Sequence, residues 1–269
     1  MNILIPMGGL SSRFREAGIT TNKALLDITD RHSGRKMPMV ICALQDIPWI
    51  NNPENKLICV NRLEHSVNGL EKKIRKHFKD PVFIHDHVML DQAFGCFLAR
   101  EYLQSDEELF IGACDNGFDL DLTSFNKLKK VSDVIMFSHS NDLNIESNPF
   151  AHSWAKLNKD QKTIKKISLK KPVSKNYMND HATTGMFWFK KSNDFLRNLE
   201  KMIWKNDTLD NKFYVDKVLQ YCIDEGLKVK FIDVNYICWG TPKDYYDYEN
   251  RINYWKKFYI KNKWLKKTQ

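Results

Sequence analysis

A short glycine-rich turn follows the first apolar segment of the chain. Residues 3–6 are apolar, and Met-Gly-Gly-Leu-Ser-Ser-Arg-Phe follows directly at positions 7–14. Because Gly8 and Gly9 carry no Cβ, backbone amides in such a turn can approach phosphate oxygens closely. Arg13 would add a guanidinium, and Lys23 a second cation, for developing phosphate charge. The turn predicts a phosphate-binding site, and a turn with a purely structural role is the alternative. The spacing of its glycines fits neither the dinucleotide-binding motif nor a Walker loop.

Alternating strands and helices must position this turn. In the first half of the chain we predict strands at 3–6, 56–60, 82–85, 109–113 and 133–137. Helices are predicted between them at 38–45, 66–78, 91–103 and 122–130. Such alternation favours parallel pairing with right-handed crossovers, and therefore an α/β fold with a doubly wound, mostly parallel, Rossmann-like sheet.

The second half of the chain has a different pattern. Segments 153–157, 163–169 and 184–189 alternate like strands with one exposed face. Two helices, at 193–204 and 212–225, and a strand at 228–234 precede a long terminal helix that begins at Lys243. Without an internal repeat or a low-complexity linker, the sequence predicts one domain over residues 1–269 with an elaborated second half.

The terminal helix is expected to be amphipathic. Its apolar stripe consists of Tyr245, Tyr248, Ile252, Trp255 and Tyr259. Their spacing places them on one helical face, which we expect to pack on the domain or on a second subunit of a homodimer. Binding of this face to a membrane surface is a weaker alternative, because the helix can bury its apolar face within the protein.

Composition and charge narrow the class of protein. The formal charge is +9, but residues 250–269 hold seven Lys or Arg and no acid. The rest of the chain is therefore nearly neutral, which argues against a nucleic-acid-binding protein. No apolar run approaches the ~20 residues that cross a bilayer, and no signal peptide is recognisable. Six dispersed cysteines without a CxxC pair predict reduced thiols. We therefore expect a cytoplasmic protein without stable membrane insertion.

Six short segments in order between residues 3 and 244 carry a family resemblance. They are the glycine turn with Lys23-Ala-Leu-Leu-Asp-Ile, Gln92-Ala93, Cys114-Asp115-Asn116, Lys170-Lys171-Pro172, Thr184-Gly185-Met186-Phe187 and Trp239-Gly240-Thr241-Pro242. This series resembles the sugar-phosphate nucleotidyltransferases, which include nucleotide-sugar pyrophosphorylases and choline-phosphate cytidylyltransferases. The ordered set is more specific than any one of its members.

The resemblance implies an activity and a division of the chain. A nucleoside monophosphate would pass from a nucleoside triphosphate (NTP) to a sugar phosphate or similar small phosphorylated metabolite, and pyrophosphate would leave. Residues 1–140 would bind the NTP, residues 141–242 the acceptor, and residues 243–269 would form the basic C-terminal helix. The resemblance also implies a role in nucleotide-sugar biosynthesis, for example for capsule or surface polysaccharide. A phosphate monoester is already anionic, so catalysis needs positioning and charge neutralisation and no general base.

The resemblance also implies roles for the nucleotide side. The residues that would hold the triphosphate are Gly8, Gly9, Leu10, Ser11, Ser12 and Arg13. Lys23 would contact the α-phosphate, and Asp115 would bind Mg²⁺, a hard cation that prefers carboxylate and phosphate oxygens. Gln92 can donate and accept hydrogen bonds, so it could read a pyrimidine base, with CTP slightly ahead of UTP or dTTP.

On the acceptor side, the implied binding residues are Asn116, Lys171, Thr184 and Gly185, with Lys171 receiving the acceptor phosphate. Three positions depart from the family pattern. Asn22 stands where the family has proline, which predicts a looser loop, and residues 30–36 form a longer, charged segment. Cys238 aligns with the family's second metal-binding aspartate and is a poor Mg²⁺ ligand. Asp233 is the nearest acidic residue upstream, but its register does not match that of the aspartate.

Two other functions stay open at the sequence level. A glycosyltransferase with a related sheet would use Asp119-Leu120-Asp121 as an Asp-x-Asp metal motif, although acids are also favoured there because a helix follows. A non-catalytic nucleotide-binding protein on the same fold is the second alternative. Release of pyrophosphate separates nucleotidyl transfer from both.

Overall fold

The computed structural model describes residues 1–87 and 91–265, with side chains only as far as residue 258. The strands are β1 (Asn2–Pro6), β2 (Asp27–Thr29), β3 (Lys36–Pro38), β4 (Lys56–Arg62), β5 (Val82–Asp86), β6 (Leu109–Ile111), β7 (Asn116–Asp119), β8 (Val134–His139), β9 (Trp154–Leu157), β10 (Ile164–Ser168), β11 (His181–Phe189), β12 (Val229–Asp233) and β13 (Asn235–Cys238). The α-helices are α1 (Ser12–Glu16), α2 (Met39–Gln45), α3 (Leu63–Val67), α4 (Leu70–His77), α5 (Gln92–Leu98), α6 (Leu122–Lys129), α7 (Leu143–Ser147), α8 (Ser192–Trp204), α9 (Val215–Asp224) and α10 (Pro242–Leu265).

Four parallel strands from the first half form the centre of the main sheet. Their order is β6-β1-β4-β5, and β1 pairs with β4 on one side and β6 on the other. Ile3, Leu4 and Ile5 of β1 are fully buried, because helices cover both faces of a parallel sheet. The predicted α/β fold with a mostly parallel core is confirmed. The sheet order reverses at β1, and a ligand site is expected outside the carboxyl ends of the strands at such a point.

Strand β11 departs from the prediction. It pairs antiparallel with β6, β8 and β9, and β8 pairs parallel with β12, so β8 does not extend the first-half parallel sheet as predicted. The predicted exposed face at 184–189 is also wrong. Phe187 and Phe189 pack into one apolar cluster and Met186 and Trp188 into another, on opposite faces of the strand. The strand is buried on both faces because it lies inside a nine-stranded sheet.

Two predicted helices are shorter than their apolar patterns suggest. The segment predicted as one helix at 66–78 forms α3 and α4, separated at Gly69, where a φ of 84° is incompatible with a continuous right-handed helix. The helix predicted at 91–103 is α-helical only over α5, and a 3-10 turn at Arg100–Tyr102 follows it.

The terminal helix α10 packs on the β2–β3 hairpin. Glu249 accepts hydrogen bonds from the backbone nitrogen of Thr29 at 2.6 Å and from its hydroxyl at 2.9 Å, and the Tyr248 hydroxyl donates to the Thr29 carbonyl at 2.7 Å. Tyr248 is buried against Trp239, whereas Trp255 is 60% exposed. The first part of the predicted stripe therefore packs on the domain. The side chain of Tyr259 and residues 266–269 lie outside the described part of the chain.

Charged residues of the hairpin loop are also tied to the domain. Arg31 donates to Asp119 at 2.6 Å and pairs with Asp46 at 3.1 Å. The longer segment at 30–36 is therefore a docked loop between β2 and β3. Among the described helices, none is long and apolar enough to cross a membrane.

Candidate active site

The phosphate turn connects β1 to α1. Ser11 adopts a left-handed conformation with φ of 56°, and its hydroxyl accepts a hydrogen bond from the backbone nitrogen of Lys23 at 3.1 Å. This contact fixes the turn against the loop that carries Lys23. A Cβ on Gly8 would lie 3.1 Å from an Asp86 carboxylate oxygen, so the close approach of Asp86 favours glycine there. Gly9 has no such neighbour and leaves its backbone open.

Lys23 and Asp115 form an ion pair at 2.6 Å. Lys23 lies in a 3-10 turn, and Asp115 follows β6 along the chain. Burial alone would lower the pKa of Lys23, but the carboxylate of Asp115 outweighs it and holds that pKa well above the ordinary value. Each side chain is about one-fifth exposed (23% and 22%), so the pair is accessible to a ligand. A cation and a carboxylate are therefore held together where the sequence analysis expects the α-phosphate.

Asn22 holds the loop that it was expected to loosen. It is 9% exposed, its carbonyl oxygen accepts from the backbone nitrogen of Ala24 at 2.9 Å, and its amide lies 2.8 Å from a ring nitrogen of His65. Its φ of −56° is a value that proline also adopts. Two side-chain contacts thus fix the backbone conformation that a proline ring would restrict covalently.

One cavity of about 920 Å³ collects most of the predicted site residues. Pro6, Val60, Asp86 and Ala113 line it, so it lies at the carboxyl ends of the four parallel strands or just beyond them. The predicted residues that line it are Gly8, Gly9, Ser11, Ser12, Arg13, Lys23, Gln92, Asp115, Asn116, Thr184 and Gly185. Leu10, which is 38% exposed, and Lys171 do not line it.

Lys170 lines the cavity, whereas its neighbour Lys171, the residue that the sequence analysis assigned to the acceptor phosphate, does not. The Lys171 side chain is exposed, and its carbonyl accepts a hydrogen bond from the Ser168 hydroxyl at 2.7 Å. Lys170 has a φ of 55°, which turns its side chain into the cavity, where it donates to the Ala151 carbonyl. Burial lowers the pKa of Lys170. A left-handed residue is hard to anticipate within a run of lysines, so the sequence did not indicate which of the two lysines lines the cavity.

Thr184, Gly185 and Asn116 form part of the cavity wall. The Thr184 hydroxyl donates to the Phe137 carbonyl at 3.0 Å, and the Asn116 amide donates to the Thr184 carbonyl at 3.3 Å. Gly185 has a φ of 81° at an irregularity in the β8–β11 pairing. The threonine hydroxyl therefore supports the backbone, while the glycine permits the bulge.

Cys238 lies close to Asp115. A Cβ on Gly240 would be 3.0 Å from an Asp115 carboxylate oxygen and 3.6 Å from the Cys238 sulfur. The Cys238 thiol donates to Asp244 at 3.4 Å, and burial raises its pKa to about 12, so it is a neutral thiol. All six cysteines are free, five of them buried. Asp233, the nearest upstream acid, contacts Ser138 and His181 and lines no part of the cavity.

The described residues contain no group of three or more His, Cys, Asp or Glu side chains that could hold a metal ion. Asp115 offers one carboxylate to the cavity. Mg²⁺ commonly takes one or two protein carboxylates and completes its shell with substrate phosphates and water. This donor set therefore fits a metal that arrives with a nucleotide, and it does not fit a permanently bound, all-protein metal centre.

The Asp-x-Asp sequence has structural roles. Asp121 is the N-cap of α6 and accepts hydrogen bonds from the backbone nitrogens of Thr123 and Ser124, while Asp119 pairs with Arg31. Neither carboxylate lines the cavity. These contacts agree with the interpretation that the two acids are favoured there because a helix follows.

Several cavity residues received no role in the sequence analysis. They are Asp86, His152, Lys170, Lys212, Tyr214, Asp216 and Asp244. Most come from loops and helix starts of the second half, where no phosphate-turn signal or strand-end position marks them. Burial and convergence, which only the folded chain provides, are the signals that distinguish them.

Comparison with known proteins supports the fold. No protein-family model matches the chain, and no curated protein matches it in sequence. A nucleoside-diphosphate-sugar pyrophosphorylase from Vibrio cholerae RC9 superposes with a TM-score of 0.73 at 19% identity, covering 92% of this chain and 99% of that one.

Two further solved structures are cytidylyltransferases. The inositol-1-phosphate CTP transferase from T. maritima has a TM-score of 0.64 at 18% identity, covering 93% of this chain and 95% of that one. The CTP:phosphocholine cytidylyltransferase from Streptococcus pneumoniae has a TM-score of 0.61 at 14% identity, with coverages of 93% and 98%. The chain therefore has the fold shared by nucleotide-sugar pyrophosphorylases and these cytidylyltransferases, as its ordered motifs predict.

Proposed function

We propose that this protein transfers a nucleoside monophosphate from an NTP to a small phosphorylated metabolite and releases pyrophosphate. The observation that carries the proposal is the Lys23–Asp115 pair at 2.6 Å, in the same cavity as the glycine turn. The turn follows β1 and Asp115 follows β6, two adjacent parallel strands. A phosphate cradle beside a cation and a carboxylate is the arrangement that nucleotidyl transfer needs.

In this proposal the chain's residues act by positioning and charge. The amides of the turn and the Arg13 guanidinium hold the triphosphate, and Lys23 neutralises charge at the α-phosphate. The acceptor phosphate attacks the α-phosphorus, the bond to the bridging oxygen breaks, and pyrophosphate carries that oxygen away. Lys170 attracts the acceptor phosphate in place of Lys171. No general base is needed because the attacking oxygen is already anionic.

Mg²⁺ and the base preference are part of the same proposal. Asp115 would hold Mg²⁺ together with phosphate oxygens, and the bound ion would neutralise charge on the triphosphate. Gln92 lies at the start of α5 and lines the cavity. Its amide can donate and accept, which suits a pyrimidine base, with CTP ahead of UTP or dTTP. We place the reaction in the cytoplasm, where NTPs are available and free thiols such as these persist.

The test is a pyrophosphate-release screen. The purified protein would be incubated with Mg²⁺, each NTP in turn and a panel of sugar, polyol and amino-alcohol phosphates. We expect pyrophosphate and a nucleoside diphosphate-linked product with at least one pair, and loss of both in Asp115→Asn. The matched control is Asp224→Asn, because Asp224 is an exposed carboxylate outside the cavity.

Two results would reject nucleotidyl transfer. Release of a nucleoside diphosphate from a nucleotide sugar would indicate glycosyl transfer instead. Equal inactivity of the wild type and Asp115→Asn with every pair, together with measurable NTP binding, would indicate a non-catalytic nucleotide-binding protein.

A further inference from the structure

The second half of helix α10 presents a cluster of aromatic rings to solvent. Tyr254, Trp255 and Phe258, here called the aromatic patch, are 61%, 60% and 48% exposed. Their spacing places them on one face of the helix, where the rings of Tyr254 and Phe258 stack and Trp255 lies edge-on to both. Adjoining large rings in water are unfavourable, and a contiguous exposed apolar surface of this kind marks an interaction site.

The cations beside the aromatic patch are not neutralised by the acids of the helix. Arg251 and Lys256 donate hydrogen bonds to backbone carbonyls, at 3.3 Å and 3.0 Å. The last two acids of α10, Asp247 and Glu249, already pair with lysines at 2.7 Å and 2.6 Å. From there to the end of the chain, residues 250–269 hold seven Lys or Arg and no acid. The patch therefore lies in a region of uncompensated positive charge.

An aromatic surface bordered by cations is complementary to an anionic lipid bilayer. Trp and Tyr rings favour the level of the lipid headgroups, and anionic headgroups attract Lys and Arg near the membrane surface. Lys257 is exposed next to the patch in sequence. Arg35 is exposed on the hairpin loop and follows Gly34, whose carbonyl Lys256 contacts. The positive surface thus continues from α10 onto the neighbouring loop.

Two other partners fit these observations less well. A symmetric dimer through the aromatic patch would bring the same cations of two copies together, and like charges repel. Bases of a nucleic acid stack on open ring faces, whereas these rings pack against one another. The rest of the chain is also nearly neutral and adds no large cationic surface for a phosphate backbone.

We propose that the aromatic patch and its flanking cations bind the surface of an anionic lipid bilayer and act as a peripheral anchor. The first part of α10 stays packed on the domain, and the patch enters the headgroup region. Asp244, in the first turn of the same helix, lines the cavity, and Tyr254 lies about 15 Å further along the helix. The anchor therefore holds the cavity close to the membrane surface without forming part of it.

The experiment measures co-sedimentation of the full-length protein with lipid vesicles. Vesicles of equal parts phosphatidylcholine and phosphatidylglycerol are compared with vesicles of phosphatidylcholine alone. We expect binding to the anionic vesicles to be stronger by about tenfold or more and to weaken as the salt concentration rises. Tyr254→Ser/Trp255→Ser should weaken that binding about tenfold or more. Lys256→Ser/Lys257→Ser should weaken it by about fivefold for each charge removed.

Matched controls test exposed residues of the same types elsewhere. Trp204 of α8 is 87% exposed, and Lys72 and Lys73 are adjacent exposed lysines of α4. Trp204→Ser and Lys72→Ser/Lys73→Ser should bind the anionic vesicles within about twofold of the wild type. Vesicle binding is measured without substrates, so a failure of the proposed nucleotidyl transfer would leave this test and its result unaffected.

Several results would overturn the inference. They are an absence of vesicle binding, equal binding of the wild type to both kinds of vesicle, and wild-type binding by both variants of the patch. A homodimer that Tyr254→Ser/Trp255→Ser dissociates, without vesicle binding by the wild type, would assign the patch to self-association. Oligonucleotide binding that the same variant loses, again without vesicle binding, would assign it to nucleic acid.

Discussion

Replacing Lys23 by methionine should separate the contribution of the Lys23–Asp115 pair to stability from its contribution to catalysis. Methionine keeps much of the lysine stem and removes the charge, so Asp115 loses the cation 2.6 Å away. Fully exposed pairs contribute about 0–1 kcal/mol, and breaking a buried pair costs about 3–5 kcal/mol. With 23% and 22% exposure, this pair lies between those limits. We expect Lys23→Met to lower the free energy of unfolding by about 2 kcal/mol.

The loss of activity should be larger than the loss of stability. Removing one group that stabilises transition-state charge typically costs about 10²–10³ in kcat. Urea unfolding and pyrophosphate release would be measured on Lys23→Met and on the double variant Lys23→Met/Asp115→Asn. The double variant should regain most of the stability, because no unpaired carboxylate remains, and should stay inactive. Lys191→Met is the control, since its exposed pair with Asp106 lies outside the cavity and its loss should leave unfolding and activity unchanged.

The reasoning would be refuted by either of two results. The first is a Lys23→Met protein that unfolds at the same urea concentration as the wild type and has a kcat within about tenfold of the wild-type value. This result would mean that Lys23 does not neutralise charge in the transition state. The second is a double variant less stable than Lys23→Met, which would mean that Asp115 is not destabilised by the loss of its partner.

Three further predictions follow from the same cavity. Addition of Mg²⁺ should raise the melting temperature of Cys238→Asp more than that of the wild type, because the new carboxylate would lie beside those of Asp115 and Asp244. Equal increases in the two proteins would contradict this prediction. Lys170→Ala should raise the acceptor KM about tenfold while Lys171→Ala stays within about twofold, and the reverse order would return the role to Lys171. Burial and the charge of His139 lower the pKa of His152 to about 4 from its ordinary 6.5. Between pH 4 and 6.5 the unfolded state therefore binds more protons than the folded state, and the protein loses stability as the pH falls from 6.5 to 4. In urea titrations His152→Gln should lose less stability over that range than the wild type, by up to about 3 kcal/mol, and equal losses would refute the assignment.

Local sequence signals determined the nucleotide half of this protein. The apolar run of β1, the glycine pair after it and the apolar run before Asp115 are contiguous patterns, and each keeps its meaning without knowledge of the fold. Alternating strands and helices predict parallel pairing, and parallel pairing brings the carboxyl ends of β1 and β6 together. The convergence of Gly8, Lys23 and Asp115 could therefore be expected before the structure was known.

The acceptor half was decided by tertiary structure. Strand β11 looked half-exposed in sequence because alternation shows only polarity, and neighbours far along the chain bury both of its faces. Lys170 enters the cavity instead of Lys171 because one residue adopts a left-handed backbone conformation. Asp216 resembles an ordinary helix-start acid, and only the fold reveals that it is buried in the cavity wall near Lys170. Sequence patterns report local geometry and polarity, whereas the partners of a buried charge are set by residues distant along the chain.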